Sequence, residues 1–374
     1  MNKKEAKRVM KKVVSILMIL ALTAAALVGC SAKTSSAPTT TTTTTTATEA
    51  PAPAETKVKF KLGWAETAER TGHPLSQAAY TFKEEVEKLS NGSIEVDLYP
   101  AAQLGDASSM LTQVEAGTLE SCMSISNGQF ATSYYPDLGF LDIPYLFENA
   151  EEAYKLLQPE GDFFKGLQSD IATKTGIRPL VFFNEGLRHI TNSKLEITKP
   201  EDLKGIKIRT MNVAAHMKMF EILGAQPTNI SWNELYTALQ TGVADAQENP
   251  VINAVYISAW EVQKYMTLDG HVCLCGLFCM NEKFYQSLSD VQKDAVNKAA
   301  KAALEAEYGM FKENESKALQ TLKDNGLQVT ELTSEQKKAF ADACQAEVIE
   351  FLKSQMNTPD LIDTVLKIVE EGRK

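Results

Sequence analysis

The chain has 374 residues, 44% hydrophobic, 23% charged and 8% aromatic, a composition that excludes a wholly disordered or collagen-like polymer and suits one large or two medium domains. Its formal charge of −10 is unevenly placed: Lys3, Lys4, Lys7, Arg8, Lys11 and Lys12 face only Glu5 in the first 29 residues, which leaves about −15 on the rest. A body that acidic is repelled by phosphate backbones, so no nucleic-acid partner is expected.

The basic start runs into an apolar stretch, 13–28, shorter than the ~20 residues that span a bilayer core. It ends in Leu27-Val28-Gly29-Cys30, a secretory signal pattern. A cysteine directly after the small residue resembles a bacterial lipoprotein signal, which implies cleavage before Cys30 and lipid attachment to its sulfur. The alternative is an uncleaved N-terminal anchor, and both place the body outside the cytoplasm. Residues 31–56 are mostly Ser, Thr, Ala and Pro, with threonine throughout 39–46. Such a segment buries too little apolar surface to fold, and reads as a tether with a reach of roughly 25–30 Å.

Folding is expected from residue 57. Val58, Phe60, Leu62 and Trp64 alternate as a strand, 76–89 has helical spacing, and Ile94, Val96 and Leu98 alternate again after Asn91-Gly92. This strand–helix–strand opening predicts a parallel α/β unit. A helix at 108–116 and strands at 119–126, 176–184 and 205–209 follow. Asn212 is expected to cap a helix over 213–223, and Ser231 to cap one over 232–240 with Glu234 completing a capping box. Residues 271–280 read as a buried strand. The longest helical pattern starts after Ser289 and stops at Asn325-Gly326; its roughly 36 residues predict about 54 Å, enough to cross two lobes. Helices at 334–354 and 359–371 close the chain.

Beyond Cys30 there are five cysteines, Cys122, Cys273, Cys275, Cys279 and Cys344, an odd number that excludes a complete disulfide framework. Cys273, Cys275 and Cys279 share one parity in an apolar run, which favours small core residues over a thiolate metal site. The four histidines, His73, His189, His216 and His271, belong to no HExxH pattern, and no GxSxG, GxxxxGK[ST] or GxGxxG occurs, so neither catalysis nor a cofactor is expected. A different chemistry is suggested by Arg209. It ends a short strand just before a helix, where ligands of open α/β folds gather, and a guanidinium fork suits a carboxylate.

Residues 203–250, LKGIKIRTMNVAAHMKMFEILGAQPTNISWNELYTALQTGVADAQENP, resemble the extracytoplasmic solute-binding proteins of tripartite ATP-independent periplasmic (TRAP) transporters, the DctP family. Leu98-Tyr99-Pro100 with Gln103-Leu104-Gly105, Asp142-Ile143-Pro144-Tyr145-Leu146-Phe147, Gly186-Leu187-Arg188 with Thr191-Asn192, and Glu261-Val262-Gln263-Lys264-Tyr265 fit the same family in order. Met211 stands where proline is usual, Ala244 where valine is usual, and Ala246 where glycine is usual; losing the proline frees φ beside Arg209, and replacing the glycine restricts it near the QENP turn.

The resemblance implies an α/β fold of two lobes, periplasmic-binding-protein-like, closing over a ligand and braced by one long helix. Lobe one is expected at 57–185 with 272–313, and lobe two at 186–271 with 314–374. It implies that Arg209 holds a ligand carboxylate, that Arg188 supports it, that Asn249 contacts the same group and that Trp232 packs on the ligand. Asn212 and Val213 border the pocket, and lobe one supplies specificity through Glu66 to His73, Gln103 to Asp106 and Ser124 to Asn127; Glu66, Arg70, His73, Gln103 and Asn127 are the polar candidates there. Ile125 stands where sialic-acid binders carry glutamate, which argues against that ligand. The function implied is a monomeric, lipid-anchored binder that delivers a small organic acid, best a sugar acid such as a hexuronate, to a TRAP membrane permease. The alternatives are a C4-dicarboxylate or other hydroxy-acid binder, a binder that feeds a sensor, an enzyme, and a thiolate metal protein.

Overall fold

Residues 55–374 are described by the structure, a computed structural model, apart from the side chains of residues 124 and 125; the signal, Cys30 and residues 31–54 of the tether lie outside the described residues. Strand β1 (Val58–Gly63) buries Phe60 and Leu62 and exposes Lys59 and Lys61, as its alternation requires. The following helix is Pro74–Leu89, two residues longer at its start than the apolar spacing suggests. His73 caps it, Nδ1 accepting from the Leu75 amide at 3.1 Å, and proline is tolerated in the first turn because its missing N–H has no helical partner there. Strand β2 (Ile94–Tyr99) pairs parallel with β1, and β3 (Ser121–Ser126) runs parallel on the other edge of β1. The opening unit is therefore the expected parallel α/β one.

Strand β4 (Ile177–Asn192) departs from the sequence reading, which ends it at Asn184. Its 16 residues continue because each half finds its own partners. The remaining strands are β5 (Lys207–Thr210), β6 (Gln226–Asn229), β7 (Ala246–Pro250), β8 (Tyr265–Leu268), β9 (Cys273–Asn281) and β10 (Gln328–Glu331). The order across the sheet is β2-β1-β3-β9-β4-β7-β5-β6. Residues 177–187 of β4 pair antiparallel with β9; residues 188–192 pair antiparallel with β7 on one edge, and 190–192 with β8 on the other. One strand thus serves two lobes, one around β2, β1, β3 and β9 and the other around β7, β5 and β6.

The long helix, Asp290–Asp324, has 35 residues and spans about 52 Å. Ser289 and Gln292 form its capping box. Its first half buries Ala295, Ala299, Ala303 and Leu304 with Phe60, Phe82 and Phe278. Its second half buries Phe311, Ala318 and Leu322 with Ile252 and Met266. One helix thereby contributes to the cores of both lobes. Phe311 also fixes its distance from β4: a Cβ on Gly186, whose φ is +98°, would come within 2.7 Å of the Phe311 ring.

Two expected caps are not made. The helix Ala214–Ile222 starts at Val213 with no side-chain cap, because the Val213 amide turns back to the Met211 carbonyl at 2.8 Å and leaves Asn212 outside. Residues Trp232–Glu234 form a 3-10 turn before the helix Leu235–Gln240, and Ser231 Oγ donates to the Glu234 carboxylate at 2.8 Å instead of capping a backbone N–H. Ala246 needs no glycine-like freedom, since it sits in β7 opposite Asn192 and Ile208.

Every residue of β9 is buried, as is Cys344, and the five described cysteines are free thiols. Cys273, Cys275 and Cys279 join one core with Leu277, while Phe278 and Met280 face the other. Cys122 and Cys279, partners across β3 and β9, hold their sulfurs 3.5 Å apart. Burial pushes the Cys344 thiol up to about 12. Apart from residue 30, a thiol reagent is therefore expected to titrate no cysteine in the native protein and all five after unfolding in guanidinium; a rapidly reacting native thiol would contradict this packing.

Candidate functional site

The carboxyl ends of β1, β5 and β7 and the middle of β4 surround a cavity of about 740 Å³, the kind of position where open α/β sheets bind ligands. Glu66 and His73 come to it from the segment after β1, Ser126 and Gln129 from the end of β3 and the helix that follows, and Arg209, Met211 and Asn212 from the end of β5. Residues 229–234 add Trp232, β7 adds Asn249, and the helix Val251–Tyr256 adds Asn253 and Tyr256.

Arg209 is 2% exposed. Its Nε donates to the Ile230 carbonyl at 2.8 Å, whereas its buried Nη1 has no protein partner. Burial lowers the guanidinium to about 10; Glu248 acts against that shift and Arg188 adds to it. The result is a fixed cation at the cavity wall with hydrogen-bonding capacity left over. Asn249 is held by a chain of side chains: its Nδ2 donates to Gln247 Oε1 at 2.6 Å, and Gln247 Nε2 donates to Thr191 Oγ1 at 2.7 Å. Both neighbours are fully buried, so the Asn249 amide is oriented from behind.

Arg188 does not line the cavity. It is fully buried and forks onto Glu248, with Nη2 2.9 Å from Oε1 and Nε also bonded to the carboxylate, while its Nη1 has no partner. Glu248 also meets His271 Nε2 at 3.1 Å, and His271 Nδ1 meets Asp269 at 2.8 Å. Asn127 is likewise committed elsewhere: its Nδ2 donates to Asp142 at 3.0 Å and its Oδ1 accepts from the Cys275 amide at 3.2 Å. Asp142 in turn meets His216 at 3.1 Å. Gln103 is exposed and away from the cavity, and Arg70 forms a surface pair with Glu84. Of the residues singled out by motif, the structure brings Arg209, Asn249, Trp232, Asn212, Glu66 and His73 to one cavity, and leaves Arg188, Asn127 and Gln103 outside it.

His73 presents a defined face. Its Nδ1 accepts a bond and burial lowers the imidazole to about 3, so the ring is neutral with its proton on Nε2. The Tyr256 ring lies 4.6 Å from it. Glu185, Asn253 and Tyr256 also reach the cavity, although no motif marks them. Asn253 and Tyr256 carried a partial signal, since they follow the QENP segment by about one and nearly two helical turns.

Residues 65–355 match the family model for bacterial extracellular solute-binding protein, family 7, DctP. The chain belongs to this family. It is 32% identical over 304 residues to the 2,3-diketo-L-gulonate-binding periplasmic protein of Escherichia coli, covering 79% of this chain and 90% of that one. A crystal structure of the sugar-acid-binding protein of Advenella mimigardefordensis with galactonate superposes with a TM-score of 0.77 at 28% identity, over 85% of this chain and 99% of that one. A TRAP periplasmic solute-binding protein of Roseobacter denitrificans with bound β-D-glucuronate gives 0.76 at 25%, over 83% and 99%. This DctP-family protein has the two-lobed α/β fold of those relatives. No helix among its described residues is long and apolar enough to cross a membrane.

Proposed function

We propose that this DctP-family protein captures a sugar acid such as a hexuronate by its carboxylate and delivers it unchanged to the membrane permease of a TRAP transporter. The observation that carries the reading is Arg209, buried at the cavity wall with Nη1 uncommitted. A carboxylate entering a dry cleft must replace its water with protein donors, and a guanidinium does so with charge-assisted bonds. Asn249 supplies a second donor, Arg188 steadies the wall through Glu248, and Trp232 offers an apolar face to the sugar ring. Asn212, Glu66 and His73 complete the lining. Relatives that bind galactonate, glucuronate and 2,3-diketo-L-gulonate support the ligand class.

In this reading the lobes comprise 57–185 with 272–313 and 186–271 with 314–374, and close about β4 when ligand bridges them. The protein acts as a monomer without a cofactor. Cys30, once lipidated, anchors it outside the cytoplasm, and residues 31–56 let it reach the permease.

A thermal-shift screen with galactonate, galacturonate, glucuronate and succinate tests this. A ligand that binds only the native state adds about 2.7 kcal/mol at a hundred times its Kd. A sugar acid is expected to raise Tm most and to be recovered chemically intact. No rise with any carboxylate would overturn the reading, and a converted ligand would point to an enzyme.

A further inference from the structure

Glu185 reaches the cleft through an irregularity of β4. Asn184 faces Cys275 and Gly186 faces Leu274, so β4 carries one more residue than β9 at this point, and Glu185 is that residue. A bulge takes its side chain out of the strand's alternation and re-aims it. Gly276 of β9 leaves the room: a Cβ there would lie 2.5 Å from Glu185 Oε1. The carboxyl is bonded by Asn253, and burial raises it to about 7 against the pull of the Arg188 charge and that bond. Glu66 belongs to the same wall. The Glu66 and Glu185 carboxylates add to burial in pushing the Tyr256 phenol up to about 12. The charges that act on Arg209 are Glu248 and Arg188 instead. The cavity therefore has a guanidinium wall and a carboxylate wall.

We propose that Glu185 is a specificity-determining residue, accepting hydrogen bonds from ligand hydroxyls remote from the ligand's carboxylate and refusing a second carboxylate, so that the cleft selects hydroxylated monoacids over diacids of the same length. An ionised carboxylate only accepts hydrogen bonds, and a hydroxyl has one to give. A second carboxylate placed there loses its water, finds no donor in Glu185 and meets like charge. The inference rests on Arg209 as the anchor of the first carboxylate.

Galactonate and galactarate differ only in that a terminal hydroxymethyl of the first is a carboxylate in the second. Calorimetry at pH 8, where Glu185 is ionised, is expected to show galactonate binding the wild type roughly 100-fold tighter than galactarate, about two tenfold steps of affinity. Glu185→Gln keeps the volume, removes the charge and adds a donor, and should shrink that preference by roughly tenfold or more. Gly276→Ala displaces the flexible end of Glu185 without removing it and should shrink the preference as well. A wild type without the preference, or a preference unchanged in both variants, overturns the role of Glu185. Failure of every acid in the thermal screen to bind the wild type would overturn the carboxylate anchor instead.

Discussion

Arg209→Ala is expected to weaken every carboxylate ligand by roughly 30- to 5,000-fold, the equivalent of about 2–5 kcal/mol for truncating one partner of a buried charged pair. The unliganded protein should not melt lower as a result. In the empty cleft Arg209 is a desolvated cation lowered to about 10, opposed by Arg188, with an Nη1 that has no partner. Removing it relieves that penalty, which burial dominates, and gives up the bond to the Ile230 carbonyl and the attraction of Glu248. Stability without ligand and affinity for ligand are therefore expected to part company, which a merely structural arginine would not produce. Arg209→Lys keeps a charge but loses the planar fork, and should recover only part of the binding. Calorimetry with the best acid of the thermal screen, alongside melting of the free protein, makes the comparison. Unchanged affinity in Arg209→Ala would remove Arg209 from the site.

How much of this cleft was legible in the sequence depends on how local each signal is. Arg209 follows from a short strand that ends just before a helix, and Asn249 and Trp232 follow from motif positions. Glu185 could not be read this way, because one extra residue in a 16-residue strand leaves no periodic trace. Glu185-Gly186 instead looks like the end of that strand. The continuation to Asn192 is stabilised by residues 246–250 and 265–268, more than fifty positions away. Asn127 and Arg188 are polar residues at plausible sites whose side chains are claimed by Asp142 and Glu248, and only the tertiary structure brings those partners near. Strand β6 was not expected because Gln226 and Asn229 are exposed; it exists through pairing with β5. The long helix, by contrast, was legible almost to the residue, since its cap, apolar spacing and stop are all local.

The second large effect is expected at Glu248, behind the cleft. Burial alone would raise its carboxyl, but Arg188, His271 and His216 outweigh burial and hold it well below the usual carboxylate range. Glu248→Gln leaves Arg188 fully buried without its counter-charge, and breaking a buried pair from one side costs about 3–5 kcal/mol. Urea denaturation should register this as a lower midpoint with an unchanged slope. His271 supplies the pH signature. Burial would lower it, yet Asp269 and Glu248 raise it to about 9 from an ordinary 6.5. A raised histidine contributes stability that is complete below the unfolded value and disappears as pH climbs through the folded one. The destabilisation caused by His271→Asn is therefore expected to be largest near pH 6 and to shrink by about 2–3 kcal/mol by pH 9.5, since a tenfold gain in proton affinity on folding is worth about 1.4 kcal/mol. His73, lowered by burial to about 3, adds the same acid sensitivity to wild type and variant and cancels in the difference; His189, lowered to about 4 by burial and in part by the His271 charge, is neutral in the folded protein at pH 6 and above, so its change in the variant adds little over this range. A penalty for His271→Asn that stays constant between pH 6 and 9.5 would mean that His271 is neutral at pH 7, and that the Glu248 charge behind the cleft is held without it.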